Sequence, residues 1–239
     1  MSENILEKIL KNKRKKIDIL KKSITANELD TRIQQHNNFI DFKKKIKKNI
    51  SLNKTSIIAE IKKASPSAGI IIEDYNPIEI ANIYQQNKAT CLSILTEEDF
   101  FIDKFQIPLS KSYGADAILI ILAGVTDEKA SELYDEALKY DLTVIVEVHT
   151  IDEAKRALRF KNAIIGINNR NLKTLITDIN TTYEICNLLL NHNEPIIVES
   201  GIKTKEEILE IQKKTNIKSF LIGESLLKNL KENSIFSIL

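Results

Sequence analysis

Charged, amide and hydroxyl side chains stand at the ends of several apolar segments of this sequence. They are Glu60, Lys62, Thr96, Glu147, Asn168, Arg170 and Glu199. Carboxyl and ammonium groups can exchange protons with a substrate, and an amide can orient it. One such residue alone is typical of a cap or a surface group. Their repetition along one chain indicates a shared site.

Glu60 and Lys62 interrupt and follow the first strand-like run, Ser56–Ile61. Side chains two residues apart lie on the same face of a strand, so both groups can serve one site. An ordinary ion pair at a strand end is the alternative interpretation.

Glycine follows each of the last two apolar segments, in Ser200-Gly201 and in Gly223-Glu224-Ser225. Glycine allows backbone amides to approach a ligand closely, and amides at a helix start favour anions. These loops are therefore candidate phosphate sites. The alternative is that Gly201 and Gly223 only permit tight turns.

Seven strand-like runs alternate with amphipathic helical segments, a pattern that predicts a parallel sheet. The runs are Ser56–Ile61, Ala89–Leu95, Ala117–Leu122, Thr143–Val148, Ala163–Asn168, Pro195–Glu199 and Ser219–Ile222. Thr150 with Glu153 and Thr204 with Glu207 predict capping boxes at two helix starts. Periodicity alone fits a doubly wound sheet nearly as well as a barrel, although no Gly-x-Gly-x-x-Gly follows any strand. In a barrel, the carboxyl ends of the strands form the active site.

The first 50 residues predict a helical extension, and residues 51–239 the barrel, within one domain. A second helix is expected around residues 38–50. The first is predicted from an apolar stripe of Ile5, Leu6, Ile9, Leu10, Ile17 and Leu20. The extension carries fourteen Lys and Arg against six Asp and Glu. These lysines alternate with apolar residues at helical spacing and lack interleaved aromatics, which favours a solvated helix face over a nucleic-acid surface.

Composition limits the other classes of function. The chain has 239 residues, of which 43% are hydrophobic, and no apolar run approaches the length of a membrane span. The N-terminus lacks the apolar core of a signal peptide, so we expect a cytoplasmic protein. Cys91 and Cys186 are predicted to be small buried residues, and no ligand spacing predicts a metal site.

Several blocks of the sequence resemble the indole-3-glycerol phosphate synthase family. They are Glu-Ile-Lys-Lys-Ala-Ser-Pro-Ser at 60–67, Ala-Asp-Ala-Ile-Leu-Ile at 115–120, Val-Glu-Val-His at 146–149, Ile-Gly-Ile-Asn-Asn-Arg-Asn-Leu at 165–172, Val-Glu-Ser-Gly-Ile at 198–202 and Leu-Ile-Gly-Glu-Ser-Leu at 221–226. The resemblance implies a TIM (β/α)8-type barrel that closes an indole ring with loss of carbon dioxide and water. It implies no metal and no organic cofactor.

The resemblance also implies a function for each matching residue. Glu147 would be the general base, Glu60 and Lys62 would transfer protons and contact the substrate, and Asn168, Arg170 and Glu199 would orient it. Ser65 matches the first-strand motif of the substrate site. The phosphate would bind at Ser200, Gly201, Gly223 and Glu224, mainly through the backbone. Other enzymes of tryptophan biosynthesis are candidate partners, and neither nucleic acid nor a membrane is expected.

One part of the family pattern is missing between residues 95 and 107. The family carries its main catalytic lysine in a Lys-Asp-Phe motif on the third strand, whereas here a single Asp99-Phe100-Phe101 matches two successive loops. An internal deletion of about 25 residues, the size of one strand-helix unit, explains this. Glu98 would take the place of the lysine. We therefore predict an incomplete barrel, which either stays open or recruits a segment such as residues 105–109.

Two functions follow from this break. The first is an indole-3-glycerol phosphate synthase whose activity is reduced or absent. The second is a noncatalytic protein that still binds a phosphorylated ligand or acts as a scaffold.

Overall fold

A computed structural model describes residues 5–36, 38–65, 69–95, 100–230 and 234–239. Thr96, Glu98 and Asp99 lie outside these ranges. The strands are β1 (Ser56–Ile61), β2 (Ala64–Ser65), β3 (Gly69–Ile70), β4 (Cys91–Ile94), β5 (Ala117–Ile121), β6 (Thr143–Val148), β7 (Ile164–Asn168), β8 (Ile196–Glu199) and β9 (Ser219–Ile222). The helices are α1 (Ile5–Ser23), α2 (Ala26–Gln35), α3 (Phe42–Ser51), α4 (Pro77–Gln86), α5 (Gln106–Ser112), α6 (Asp127–Lys139), α7 (Ile151–Ala157), α8 (Asn180–Cys186), α9 (Lys205–Thr215) and α10 (Glu224–Lys228), with short 3-10 turns at Leu122–Gly124, Asn187–Leu189 and Ser234–Ile238.

The seven predicted strands form one parallel sheet in the order β4-β1-β9-β8-β7-β6-β5. With helices between successive strands, this is an incomplete (β/α) barrel, which confirms the predicted fold class. Three of the seven predicted strands have the predicted bounds, and the other four are shorter by one to three residues. Strands β2 and β3 form a separate antiparallel hairpin, which was not predicted.

Two apolar layers hold the sheet. The outer layer lies between the sheet and its helices and includes the fully buried Ile165 and Phe220. The inner layer fills the barrel with Ile58, Ile145, Ile164 and Ile197, and Phe42 and Ile46 of α3 pack against it. The third helix of the N-terminal segment therefore contacts the barrel interior directly.

The N-terminal segment contains three helices among the described residues, so the prediction of two was wrong. The additional helix, α2, has ten residues and buries only Leu29, so its apolar face is short. It begins with a capping box between Thr25 and Glu28.

Among the described residues, no strand lies between β4 and β5, the two edge strands of the sheet, so the wall that these residues form is open there. The alternative in which residues 105–109 fill the gap is wrong, because most of that segment lies in helix α5. The buried Gln106 fixes the preceding loop: its Oε1 accepts hydrogen bonds from Ile102 N at 2.8 Å and Asp103 N at 3.1 Å, and its Nε2 donates to Phe100 O. Leu92 and Ile94 of β4 stay 39% and 59% exposed.

Candidate functional site

One cavity of about 2170 Å³ occupies the carboxyl ends of the strands and the interior of the open barrel. All eleven residues predicted to form the site line it: Glu60, Lys62, Ser65, Glu147, Asn168, Arg170, Glu199, Ser200, Gly201, Gly223 and Glu224. The cavity also reaches Leu92 and Ile94 at the edge of the wall. The cavity therefore extends from the site to the edge strand beside the gap.

Glu60 and Lys62 form an ion pair at the end of β1, with side chains only 10% and 12% exposed. Gly223, which follows β9, makes room for it: a Cβ on Gly223 would lie 2.2 Å from Oε2 of Glu60. The Tyr84 hydroxyl donates a hydrogen bond to the backbone oxygen of Glu60 at 3.3 Å. The pair is thus built into the cavity wall.

Glu147 of β6 and Glu199 of β8 meet across the intervening strand β7, and each residue is only 3% exposed. Gly166 of β7 is in register with Glu147, and a Cβ there would lie 2.1 Å from Oε1 of Glu199. The absence of a side chain at Gly166 therefore creates the space for the carboxyl pair. Burial raises the pKa of Glu199 well above its usual value, and the neighbouring charges of Glu147 and Glu60 raise it further.

A histidine holds Glu147 from the other side. His149 Nε2 lies 3.0 Å from Glu147 Oε1, as an ion pair without the alignment of a hydrogen bond, and His149 Nδ1 lies 3.2 Å from Glu153 Oε2. Burial lowers the pKa of His149, but the two carboxylates outweigh burial and raise it to about 9. Burial raises the pKa of Glu147, but His149, Glu199 and Asn168 outweigh it, so the net pKa is lowered.

Sequence reasoning missed the structural function of His149 and Glu153. Thr150 caps helix α7 as predicted by accepting a hydrogen bond from Glu153 N, but the Glu153 carboxylate binds the backbone and ring of His149. The predicted capping box at Thr150 is therefore only half formed, whereas the one at Thr204 and Glu207 is complete. The sequence does contain a signal for these contacts: a histidine two residues after a strand-end glutamate, with a second glutamate four residues later.

Asn168 ends strand β7, and its Oδ1 accepts a hydrogen bond from Arg170 N at 2.9 Å. Arg170 in turn donates from Nε to Thr177 Oγ1 at 3.3 Å. The neighbouring Asn169, which was not predicted, is 2% exposed and donates from Nδ2 to Ser200 O at 3.1 Å. Asn169 thereby ties the loop after β7 to the loop after β8.

The loop after β8 has an unusual backbone conformation. Ser200 and Gly201 have φ angles of 63° and 82°, in the left-handed region that favours glycine. A Cβ on Gly201 would lie 2.7 Å from Cγ2 of Thr177, so only glycine fits there. After β9, Glu224 pairs with Lys228 at 2.6 Å, and the Ser225 hydroxyl donates to Ile202 O.

Two lysines near the break lie away from the cavity. Lys104 Nζ pairs with Glu132 Oε1 at 3.1 Å, and Lys111 Nζ lies 3.3 Å from the ring centroid of Phe39. Within the described ranges, no group of three or more His, Cys, Asp or Glu side chains could hold a metal ion. Nor does any helix in these ranges have the length and apolar character to cross a bilayer.

This chain is similar in sequence to known proteins. The sequence model of "Indole-3-glycerol phosphate synthase" matches residues 6–102 and 97–237. The chain belongs to the indole-3-glycerol phosphate synthase family. Two curated members of this family, from Legionella pneumophila (strain Lens) and Acinetobacter baylyi, are 39% and 38% identical to it over 249 and 206 residues. These alignments cover 94% and 76% of both partners, respectively.

The two matched stretches overlap at residues 97–102, where one segment of this chain matches two places in the family pattern. The alignment with the Legionella relative is also longer than this 239-residue chain, so that relative has residues without a counterpart here. Both findings agree with the predicted internal deletion.

Solved structures show the fold alone. Tryptophan synthase subunit alpha from Legionella pneumophila has a TM-score of 0.54 and 12% identity, over 84% of this chain and 94% of that one. Tryptophan synthase from M. tuberculosis in an open form also has a TM-score of 0.54, with 10% identity, over 83% of this chain and 95% of that one.

Proposed function

We propose that this family member converts 1-(2-carboxyphenylamino)-1-deoxyribulose 5-phosphate to indole-3-glycerol phosphate, with loss of carbon dioxide and water. The observation that carries the proposal is the convergence of all eleven residues of the family pattern on one cavity. Such a carbon-carbon lyase needs an acid for the developing oxyanion and a base for the dehydration. Carboxyl groups in two protonation states and an ammonium group supply both.

The substrate phosphate binds at the loops after β8 and β9, through backbone groups of Ser200, Gly201, Gly223 and Glu224. Glu147 serves as the base, and its lowered pKa supports this because a base must be ionised. Lys62 and Glu60 transfer protons, and Asn168 and Arg170 orient the substrate. Ser65 lies at the cavity in the hairpin strand β2.

Turnover is reduced in this form, because the lysine that the family carries on its third strand is missing. Glu98, predicted to take its place, lies outside the described residues. The opening between β4 and β5 supports a second candidate function, a noncatalytic protein that binds the phosphorylated ligand. Water that enters through the wall weakens the charge interactions on which catalysis depends.

The protein acts in the cytoplasm, and the other enzymes of tryptophan biosynthesis are its candidate partners. The activity for which its relatives are named, indole-3-glycerol phosphate synthase, supports both proposals.

Indole fluorescence after addition of the substrate tests the proposed function. We expect slow turnover by the unmodified chain and loss of that turnover in Glu147→Gln. Glu210→Gln is the matched control, because Glu210 lies exposed on α9 and pairs with Lys214, away from the cavity. If the folded protein binds substrate in calorimetry but forms no product, the enzyme proposal is wrong and the binding function stands.

A further inference from the structure

The carboxyl group of Glu199 is almost completely removed from water. The residue is 3% exposed, it lines the cavity, and its Oε1 atom has no hydrogen-bond partner among the described residues. An ionised carboxylate in such a position would lose its hydration without compensation, at a cost of several kcal/mol. A neutral carboxyl group avoids that cost.

The contact of Glu199 with Glu147 also favours a neutral carboxyl group. Two ionised carboxylates are both hydrogen-bond acceptors and repel each other, so a buried pair in contact needs a proton between them. His149, fixed by Glu153, lies on the side of Glu147 and stabilises negative charge there. Glu199 instead has Glu60 as a further neighbour of the same charge. The asymmetry leaves Glu147 ionised and Glu199 protonated.

The strands around Glu199 differ in the charge that they bring to the pair. Strand β6 brings Glu147 and, directly after the strand, His149, and β1 brings Glu60, whose negative charge raises the pKa of Glu199 although Lys62 is paired with it. Gly166 of β7 and Gly223 after β9 contribute no charge. Among these described neighbours, the positive charge closest to the pair is therefore that of His149, and it stabilises the ionised form of Glu147.

We propose that Glu199 holds the proton of the Glu147–Glu199 pair and donates it to the substrate carbonyl oxygen, in place of the missing third-strand lysine. This inference rests on the proposed function. The pair thereby provides an acid and a base side by side. His149 is a positioning residue that determines which of the two carboxyl groups is ionised.

Protons and electrons balance in this scheme. The aromatic carbon that bears the carboxylate attacks the carbonyl carbon, and the carbonyl oxygen takes the Glu199 proton and becomes a hydroxyl. The carboxylate then leaves as carbon dioxide, and its bonding electrons restore the aromatic ring. The hydroxyl leaves as water with a proton from Lys62, while Glu147 removes a proton from the adjacent CH2 carbon. Transfer of that proton to Glu199 resets the pair, and solvent reprotonates Lys62.

Infrared difference spectroscopy at neutral pH tests where the proton is. We expect a carbonyl band of a neutral carboxyl group in the unmodified protein, loss of that band in Glu199→Gln, and no change in Glu210→Gln. Circular dichroism establishes that each variant is folded. If no such band exists, or if Glu199→Gln retains it, the inference is overturned whatever the turnover.

Turnover tests the donor function separately. Glu199→Gln keeps the shape of the side chain but cannot donate the proton, so we expect a loss of about 10²- to 10⁴-fold in kcat. Unchanged turnover in a variant that lacks the band overturns the donor function. If the unmodified protein shows the band but forms no product, the proposed function fails, and the donor function with it.

Discussion

The two sides of the barrel wall respond differently to the missing strand-helix unit. Strands β6, β7 and β8 are paired on both sides, and their central residues, such as Ile165, are fully buried. On the other side, β4 has β1 as its neighbour in the sheet, and Ile94 remains 59% exposed. The paired side holds Glu147, Asn168 and Glu199, whereas the open side is where the family carries its lysine. Parallel pairing is local, so a sheet can lose one strand and still position the residues of the others.

The largest expected difference between the two sides is in their contribution to the free energy of unfolding. We expect Ile165→Ala to lower the free energy of unfolding by about 2–5 kcal/mol, because it leaves a cavity in a filled layer. Ile94→Ala, the matched change at the open edge, should alter it by no more than about 0.5 kcal/mol, since that side chain is largely in water. Urea denaturation measures both. Equal losses would mean that the edge of β4 is covered in solution.

The second prediction concerns the pH dependence of the paired side. The pKa of His149 rises from its ordinary value of 6.5 to about 9 on folding, so the folded state binds this proton more tightly. The resulting stabilisation is complete below pH 6.5 and is lost as the pH rises through 9, a difference on the order of 3 kcal/mol. Denaturation at several pH values measures it, and His149→Gln should remove most of that slope.

Two glutamates provide a sharper control for this prediction, because each is the third residue of its helix. Glu153 binds the His149 ring, whereas Glu207 completes the capping box of α9. NMR titration of the imidazole should show a lower pKa for His149 in Glu153→Gln and no change in Glu207→Gln. Equal titration curves in both variants would exclude a contribution of Glu153.

Much of the fold and of the candidate site could be predicted from the sequence. β-branched and apolar runs bounded by polar residues defined all seven strands, and the polar residues at their ends do surround one cavity. The duplicated use of Asp99-Phe100-Phe101 also indicated which unit was missing. These features are local, so the pattern of neighbouring residues was sufficient to predict them.

The remainder depends on contacts between distant segments. Helix α2 was missed because it buries one residue, and the hairpin of β2 and β3 because its strands have two residues each. The proton-sharing pair could not be predicted, since Glu147 and Glu199 meet only where Gly166 has no side chain. The open wall was one of two alternatives, and what distinguishes them is the helical conformation of residues 106–109 in α5.

The smallest expected change in unfolding free energy comes from replacing glycine by alanine on the paired side and on the open side of the wall. In Gly166→Ala the new methyl group would lie 2.1 Å from Oε1 of Glu199, so the carboxyl pair must separate. We expect a loss of about 1–3 kcal/mol in unfolding free energy, as for other overpacked sites, and a change in the infrared band of the neutral carboxyl group. In Gly124→Ala, in the 3-10 turn after edge strand β5, the new methyl group would lie 3.7 Å from Leu10 and Phe100, an ordinary contact, and should change neither quantity. If Gly124→Ala were as costly as Gly166→Ala, the segment beside the break would be packed as tightly as the site itself, and the difference between the two sides would not hold.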